Sequence, residues 1–362
     1  MPAGTVIKGA TKGFNQAEKA AMHITKFIMG VLLLGGLALL GWMVWQVGIT
    51  DLIASCQVVG FWIAPYFLLE IIPDFLHTAA WAACFQEPQR RLSLWQLYVI
   101  RLAGSAINQV TPTATLGGEV VKVLLLGPLL PRTQAMAAVV IDKASTALAQ
   151  TCYLAFGLLY AMGHLPLPGE LQLALGLSIS MVLLGLLGFI AFQRYGLLSQ
   201  LVYHLSRLPF AQTRLQQLSQ RLAPLDAQLV GYYTAHPWRF GGSFLLHFVG
   251  FIAAGFKTYV LLRLLLGTQA PGWSEAMLVA VVVAALDQMC FFVPARLGTL
   301  EGTRVLVLST VGITQAVGLA FGLMARLDSL FWSGIGLLTY ALCTRQTFLA
   351  RSIRPRILQR SQ

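Results

Sequence analysis

Two segments of this chain break long apolar runs in the same way, and any fold the chain adopts has to accommodate both. The first, Arg101 to Leu125, reads RLAGSAINQVTPTATLGGEVVKVLL, and the second, Pro294 to Leu306, reads PARLGTLEGTRVL. At one constant offset Pro112 falls on Pro294, Glu119 on Glu301, Lys122 on Arg304, Val123 on Val305 and Leu124 on Leu306. Each copy is a proline, six residues, a glutamate, two residues and a cation. Thr133-Gln134-Ala135 and Thr314-Gln315-Ala316 continue the match downstream. An internal duplication accounts for this economically, with the two broken segments as its functional centre.

The surroundings of these breaks are a membrane interior. Hydrophobic residues make up 57% of the chain and charged residues 10%, with a mean hydropathy of +0.72, where soluble domains carry about 25% charged residues. The first apolar run, about residues 24–47, is too long for a signal-peptide core and reads as a retained helix. The net charge of +12 would point to nucleic acid in a soluble protein, but here the cations are sorted by loop. They gather in the tail (Lys8, Lys12, Lys19, Lys26), at Arg90 and Arg91, at Arg132, from Arg194 to Arg239, and from Arg345 to Arg360. The connections near residues 48–59, 164–170 and 267–273 contain none. That split places both termini in the cytoplasm and leaves no reason to expect a nucleic-acid partner. The five cysteines are scattered through apolar runs without ligand spacing, so no metal, disulfide framework or cofactor is expected.

A span in lipid must satisfy its own backbone hydrogen bonds and needs about 20 apolar residues as a helix. Helix two is expected at about Phe61 to Phe85. Residues 95–109 and 118–127 fail the length test, being about 22 and 15 Å long at 1.5 Å per residue. With cations on both flanks, they read as a re-entrant hairpin dipping in from the cytoplasm. Outward and returning helices follow, Thr133 to about Gly163 and Leu171 to Phe192. In the connection 194–239, Leu215, Leu218, Leu222, Leu225 and Leu229 recur at helical spacing. This amphipathic segment either lies on the leaflet or packs beneath the bundle. A second hairpin, Trp273 to about Val311, is bounded by loops without cations and enters from outside; the last span runs from Thr314 to about Cys343.

The expected fold is therefore an all-α polytopic membrane protein with about six full spans and two hairpins. Residues 1–23 and 344–362 form basic cytoplasmic tails around one transmembrane domain, 24–343, whose repeats cover about 61–163 and 240–343 in inverted orientation. Inverted repeats with broken helices characterise secondary transporters, which bind substrate at the repeat interface.

Ionisable residues inside such a bundle are functional candidates. They are Glu70, Asp74, Arg101, Glu119, Lys122, Asp142, Lys143, Lys257, Asp287, Arg296, Glu301, Arg304, Arg326 and Asp328, acids and bases in equal number. Mutual neutralisation that pins the hairpins to the bundle is the structural alternative. Glu119/Lys122 and Glu301/Arg304 sit at i, i+3 spacing just after the breaks. Gly-rich helix starts bind anions such as phosphate, and Lys122, Arg296 and Arg304 would add charge; yet a glutamate in a first turn is favourable by itself and could receive a cation or proton. The sign of the ligand stays open. Asn108, Gln109, Thr111, Thr113 and Thr115 line a site or satisfy the broken backbone, and Pro112 and Pro294 set the breaks. His77, His164, His204 and His247 lack ligand spacing and receive no role. No nucleophile elbow, P-loop or HExxH is present, so no catalysis is expected.

The pattern RLAGSAINQVTPTATLGGEVVKVLLL followed by AAVVIDKAS, and FFVPARLGTLEG followed by ARLDSLFW, resembles the lysylphosphatidylglycerol synthase transmembrane region family of flippase-like proteins. The resemblance implies translocation of a lipid or lipid-linked molecule across a bacterial cytoplasmic membrane, with membrane lipids and lipid-biosynthesis enzymes as candidate partners. It places motif positions at Asn108, Pro112, Gly117, Gly118, Glu119, Asp142, Pro294, Gly298, Glu301 and Arg326. Lys122 and Lys143 stand where arginine is expected, and Ala295-Arg296 replaces a small Gly-rich break, so head-group preference would differ. The aminoacyltransferase domain of bifunctional members has no counterpart in these 362 residues, so lysyl-lipid synthesis is not expected. The expected centre comprises Glu119, Glu301, Lys122, Arg304, Asp142 and Arg326. A transferase using a lipid-linked donor, a proton-coupled exporter of a small solute and a scaffold for lipid-synthesis enzymes are the alternatives.

Overall fold

The computed structural model describes residues 59–86, 92–110, 116–164, 169–207, 212–289 and 298–358, with isolated helical positions between Leu34 and Gln57. The first expected helix, Arg90/Arg91, both proline breaks (Pro112, Pro294) and Arg296 lie outside the described residues. Every element described is helical.

Helix two is not continuous. It divides into α1 (Ile63–Leu68) and α2 (Ile71–Ala83), with a turn at Leu69 and Glu70 between them. Pro73 has no N–H to give the Leu69 carbonyl, which instead accepts from Ile72 N–H at 3.2 Å. The first hairpin is α3 (Leu94–Val110) and α4 (Leu116–Leu126), close to the expected bounds. Next come α5 (Arg132–His164), α6 (Gly169–Arg194), α7 (Leu197–Leu205) and α8 (Gln212–Ala235). α9 (Pro237–Leu266), the second hairpin α10 (Trp273–Met289) and α11 (Thr299–Thr310), and α12 (Gln315–Leu358) complete the chain. α12 runs without interruption into what the sequence marks as a basic tail.

Among the described residues, two helical stretches are long and apolar enough to cross a membrane by length and composition, Gly176–Arg194 and Pro237–Gln269. Only 6% of the first is buried, and Leu177, Met181, Leu184 and Leu187 on it are exposed. An apolar helix bare on nearly all sides is at equilibrium in lipid.

The helices close around two apolar cores. One gathers Trp81, Phe85, Ile100, Leu125, Ile141 and Tyr340. The other gathers Tyr66, Leu261, Val279, Leu308, Phe321 and Met324. The leucine series of the amphipathic segment divides between environments: Leu218 is exposed, whereas Leu225 and Leu229 are buried in the first core with Tyr232 and Tyr233. The C-terminal half of α8 thus packs beneath the bundle. In lipid, apolarity does not distinguish core from surface, so close approach must bring helices together. Gly118 shows this: a Cβ there would collide with the Gly104 carbonyl and the Asn108 side chain, so α4 lies against α3 only because position 118 has none.

On two helices the charged residues fall between these cores. On α2, Asp74 and His77 separate Tyr66 from Trp81; on α12, Arg326 and Asp328 separate Met324 from Leu337. A polar layer across the middle of an apolar bundle results.

Candidate functional site

Each half-buried or buried charge in this layer meets an opposite one, in three groups. In the first, Asn108 at the end of α3 accepts a 2.6 Å hydrogen bond from the Gly118 N–H in the first turn of α4. That is the backbone-satisfying role, a cap supplied from the neighbouring helix. Lys122 Nζ lies 2.9 Å from Glu119 and 3.8 Å from Asp142, and 5.3 Å above the Trp81 ring. Lys143 reaches Glu119 at 3.6 Å from a position 45% exposed.

The second group belongs to the second hairpin, and its pairing is not the i, i+3 one that the spacing offers. Arg304 turns to Asp287 on α10, with Nη1 and Nη2 donating to the two carboxylate oxygens at 2.6 and 2.8 Å. Glu301 is held instead by Arg326 of α12 at 2.8 and 3.1 Å. The planar fork of arginine matches a carboxylate edge to edge, and that bidentate geometry outweighs the single contact available one helical turn away. The lysine in the first copy has no fork, and there the i, i+3 pair does form.

The third group was not assembled from sequence. Lys257 Nζ on α9 donates to Glu70 at 2.7 Å and to Asp328 at 2.5 Å, over the Tyr66 ring at 4.8 Å. Arg101 on α3 reaches Asp74 at 3.4 Å. Each of these residues is a plain intramembrane charge in the sequence. Nothing in its spacing links Glu70 to Lys257, and the turn at Glu70 that presents it follows from Pro73.

Groups two and three border one polar cavity of about 340 Å³ between α2, α3, α11 and α12. Glu70, Asp74, Ser105, Gln109, Arg304 and Asp328 face it. Among the described residues Asp328 Oδ1 and Arg304 Nε have no hydrogen-bond partner, although both are buried; such groups are uncommon and call for an explanation. The expected centre is therefore divided. Arg304 and Asp328 line the cavity, Asp287 holds Arg304 without lining it, Glu301 and Arg326 pair with each other outside the lining, and Glu119, Lys122, Asp142 and Lys143 form a separate group. Gly117 and Gly118 sit at the hairpin bend. The helix starts of α4 and α11 carry first-turn carboxylates already matched by cations, so an anion has little to gain there.

His77 and His247, given no role from sequence, are brought together. Their Nδ1 atoms lie 2.7 Å apart, and His247 Nε2 lies 3.1 Å from Asp142. The two histidines stand on different helices far apart in the chain, and no local pattern announces the meeting.

Two apolar grooves flank the layer. One, about 420 Å³, is bounded by α5, α9 and α10 and lined by Met277, Leu278 and Val281. The other, about 470 Å³, is bounded by α3, α4 and α12 and lined by Trp95, Gln96 and Val99. Those three pairs occupy matching places at the offset that relates Pro112 to Pro294.

The model of the lysylphosphatidylglycerol synthase TM region family matches residues 27–336. The chain belongs to that family. It is, accordingly, an integral membrane protein, and the matched region contains all three charged groups and both hairpins. No curated protein and no solved structure matches the chain.

Proposed function

We propose that this family member translocates a lipid or lipid-linked molecule between leaflets by alternating access, in the cytoplasmic membrane with both termini inside, and catalyses no chemistry of its own. The observation that carries the reading is the polar cavity walled by helices from both halves of the chain, α2 and α3 facing α11 and α12. On this reading the cavity serves as the repeat interface that inverted-repeat transporters use.

The packing supports an exchange of equivalent elements. α12 packs on α3 as α5 packs on α10; α11 packs on α12 as α4 packs on α5; and α2 packs on α9. The paired grooves support a substrate with acyl chains, since each offers an apolar channel beside one hairpin. A lipid head group would occupy the cavity while its chains follow a groove. Three carboxylates and one guanidinium face the cavity, which suits a head group rich in hydrogen-bond donors. Asp328 Oδ1 and Arg304 Nε would be completed by such a ligand.

The test is a leaflet-resolved lipid inventory of cells lacking the protein, complemented with wild type or with Glu119→Gln, Glu301→Gln or Asp328→Asn. A lipid made in normal total amount but missing from the outer leaflet, and not restored by Asp328→Asn, is the expected result. A lipid missing altogether would favour a transferase or a scaffold for synthesis enzymes, and unchanged lipids would favour export of a soluble substrate; either overturns the proposal.

A further inference from the structure

The buried pair His77–His247 belongs to no step of lipid binding, yet its geometry is specific. The rings are tilted by 34° with centroids 5.0 Å apart, and the Nδ1 atoms are 2.7 Å apart. At that separation one nitrogen must carry a proton and the other must not, because two N–H groups or two lone pairs would repel. The far side of His247 decides which. Its Nε2 faces Asp142 Oδ1 at 3.1 Å and Thr146 Oγ1 at 3.0 Å. An ionised carboxylate only accepts, so Nε2 holds the proton; in the resting arrangement of the relay Nδ1 of His247 is bare, and His77 donates through its own Nδ1.

From this arrangement we infer that His77, His247 and Asp142 form a proton relay, so that the conformational cycle of this protein moves protons across the polar layer. A proton delivered by water forms an N–H bond at His77 Nε2. The His77 Nδ1–H bond breaks as that proton joins His247 Nδ1. The His247 Nε2–H bond breaks as its proton joins Asp142. One proton enters, one arrives at Asp142, and both imidazoles finish neutral in the other tautomer. Release of the Asp142 proton and return of the tautomers reset the chain.

The surroundings fit a relay. From α3, Arg101 is paired with Asp74; from α4, Lys122 lies 3.8 Å from Asp142 and 2.9 Å from Glu119; Glu119 meets Lys143, which is half-exposed. Cys84, beyond α2, reaches Ser243 at 3.4 Å, and Ser243 reaches Ser145 at 2.9 Å, which closes that flank with neutral groups. Lys257, further along α9, is engaged with Glu70 and Asp328. Phe251 packs on His77 with centroids 4.9 Å apart. At Gly250 a Cβ would sit 2.9 to 3.2 Å from three atoms of the His77 ring, so the glycine keeps the space that the imidazole occupies. Charged residues thus continue from Asp142 through Lys122 and Glu119 to the half-exposed Lys143, while Asp74, one turn before His77 on α2, faces the polar cavity.

The inference does not depend on what the cavity carries. The purified protein is reconstituted in liposomes of the cell's own lipid extract with a pH-sensitive dye inside, and a pH step is imposed with the membrane potential clamped. Wild type is expected to dissipate the step several-fold faster than protein-free liposomes. His77→Gln and His247→Gln should fall to the protein-free rate, Gly250→Ala should slow several-fold, and His204→Gln should match wild type. A wild-type rate equal to that of protein-free liposomes, or Gln variants as fast as wild type, overturns the relay. If the Gln variants do not fold, ¹⁵N-histidine spectra of the wild type decide: one Nδ1–H and one Nε2–H tautomer are expected at the pair, and protons on both Nδ1 atoms refute it. Lipid translocation measured in the same vesicles separates the two readings, because a histidine-dependent proton flux without lipid movement keeps the relay and rejects the lipid substrate.

Discussion

Arg326 grips Glu301 through two parallel hydrogen bonds, 2.8 and 3.1 Å, and ties the short helix of the second hairpin to the last span. The arginine is 1% exposed. Removing one member of such a pair leaves a charge in a medium that cannot solvate it, at a cost of about 3–5 kcal/mol, whereas replacing both with apolar residues is often close to neutral. Glu301→Leu and Arg326→Met should each lower stability by about that amount. The double variant should recover most of it while losing translocation, as judged by chemical unfolding in mixed micelles beside the lipid inventory.

Lys257 is the cation between Glu70 and Asp328. In Lys257→Met the two carboxylates would face one cavity without it, so marked destabilisation is expected. Adding Asp328→Asn should return part of the loss. A double-mutant cycle between positions 257 and 328 should give a coupling of about 0.5–3 kcal/mol; additive losses would show that the pair does not interact as described.

Lys122 and Lys143 both reach Glu119, but their surroundings differ. The side chain of the first is 5% exposed and that of the second 45%. An exposed pair contributes about 0–1 kcal/mol, so Lys143→Met should change stability little. Lys122→Met should cost about 3 kcal/mol or more, since it uncovers Glu119 and Asp142 together. High salt should erase the small Lys143 effect and leave the Lys122 effect intact.

The α3–α4 crossing sets a further expectation. Gly118→Ala would drive a methyl group into the Gly104 carbonyl and the Asn108 amide, separating the hairpin helices and losing the 2.6 Å cap. Overpacking of this kind costs about 1–3 kcal/mol. Gly104→Ala meets the flexible Lys122 side chain at 3.0 Å as well as the Gly118 carbonyl at 2.9 Å, and should cost less. Limited proteolysis near the hairpin bend should rank the two variants in that order.

The grooves can be filled one at a time. Ser274→Trp lies in the groove between α5, α9 and α10, and Thr339→Trp in the one between α3, α4 and α12. Each should slow lipid movement without lowering thermal stability, and identical transport in both variants and wild type would remove the grooves from the pathway.

Much of the architecture was legible in the chain because its causes are local. Apolar length marks spans, and short apolar lengths between Pro and Gly-Gly mark the first hairpin, whose helices start and stop within a few residues of the expected places. The turn at Glu70 was missed, since Pro73 removes its hydrogen bond from within an apolar run that still reads as one helix. The charge after Cys343 marks a basic tail without marking its conformation, and α12 continues through it to Leu358.

By itself, then, the sequence determined a membrane-embedded helical bundle and the set of charges that a low-dielectric interior would force into use. Which charge meets which was decided only by tertiary structure. An i, i+3 spacing offers Glu301 and Arg304 to each other, but the fork of an arginine takes the partner with the better planar geometry, and that partner comes from another helix. The meeting of His77 with His247, and of Lys257 with Glu70 and Asp328, depends on how α2 and α9 cross. Those distances are long-range properties of packing, set by small residues that let backbones approach, and no local pattern encodes them.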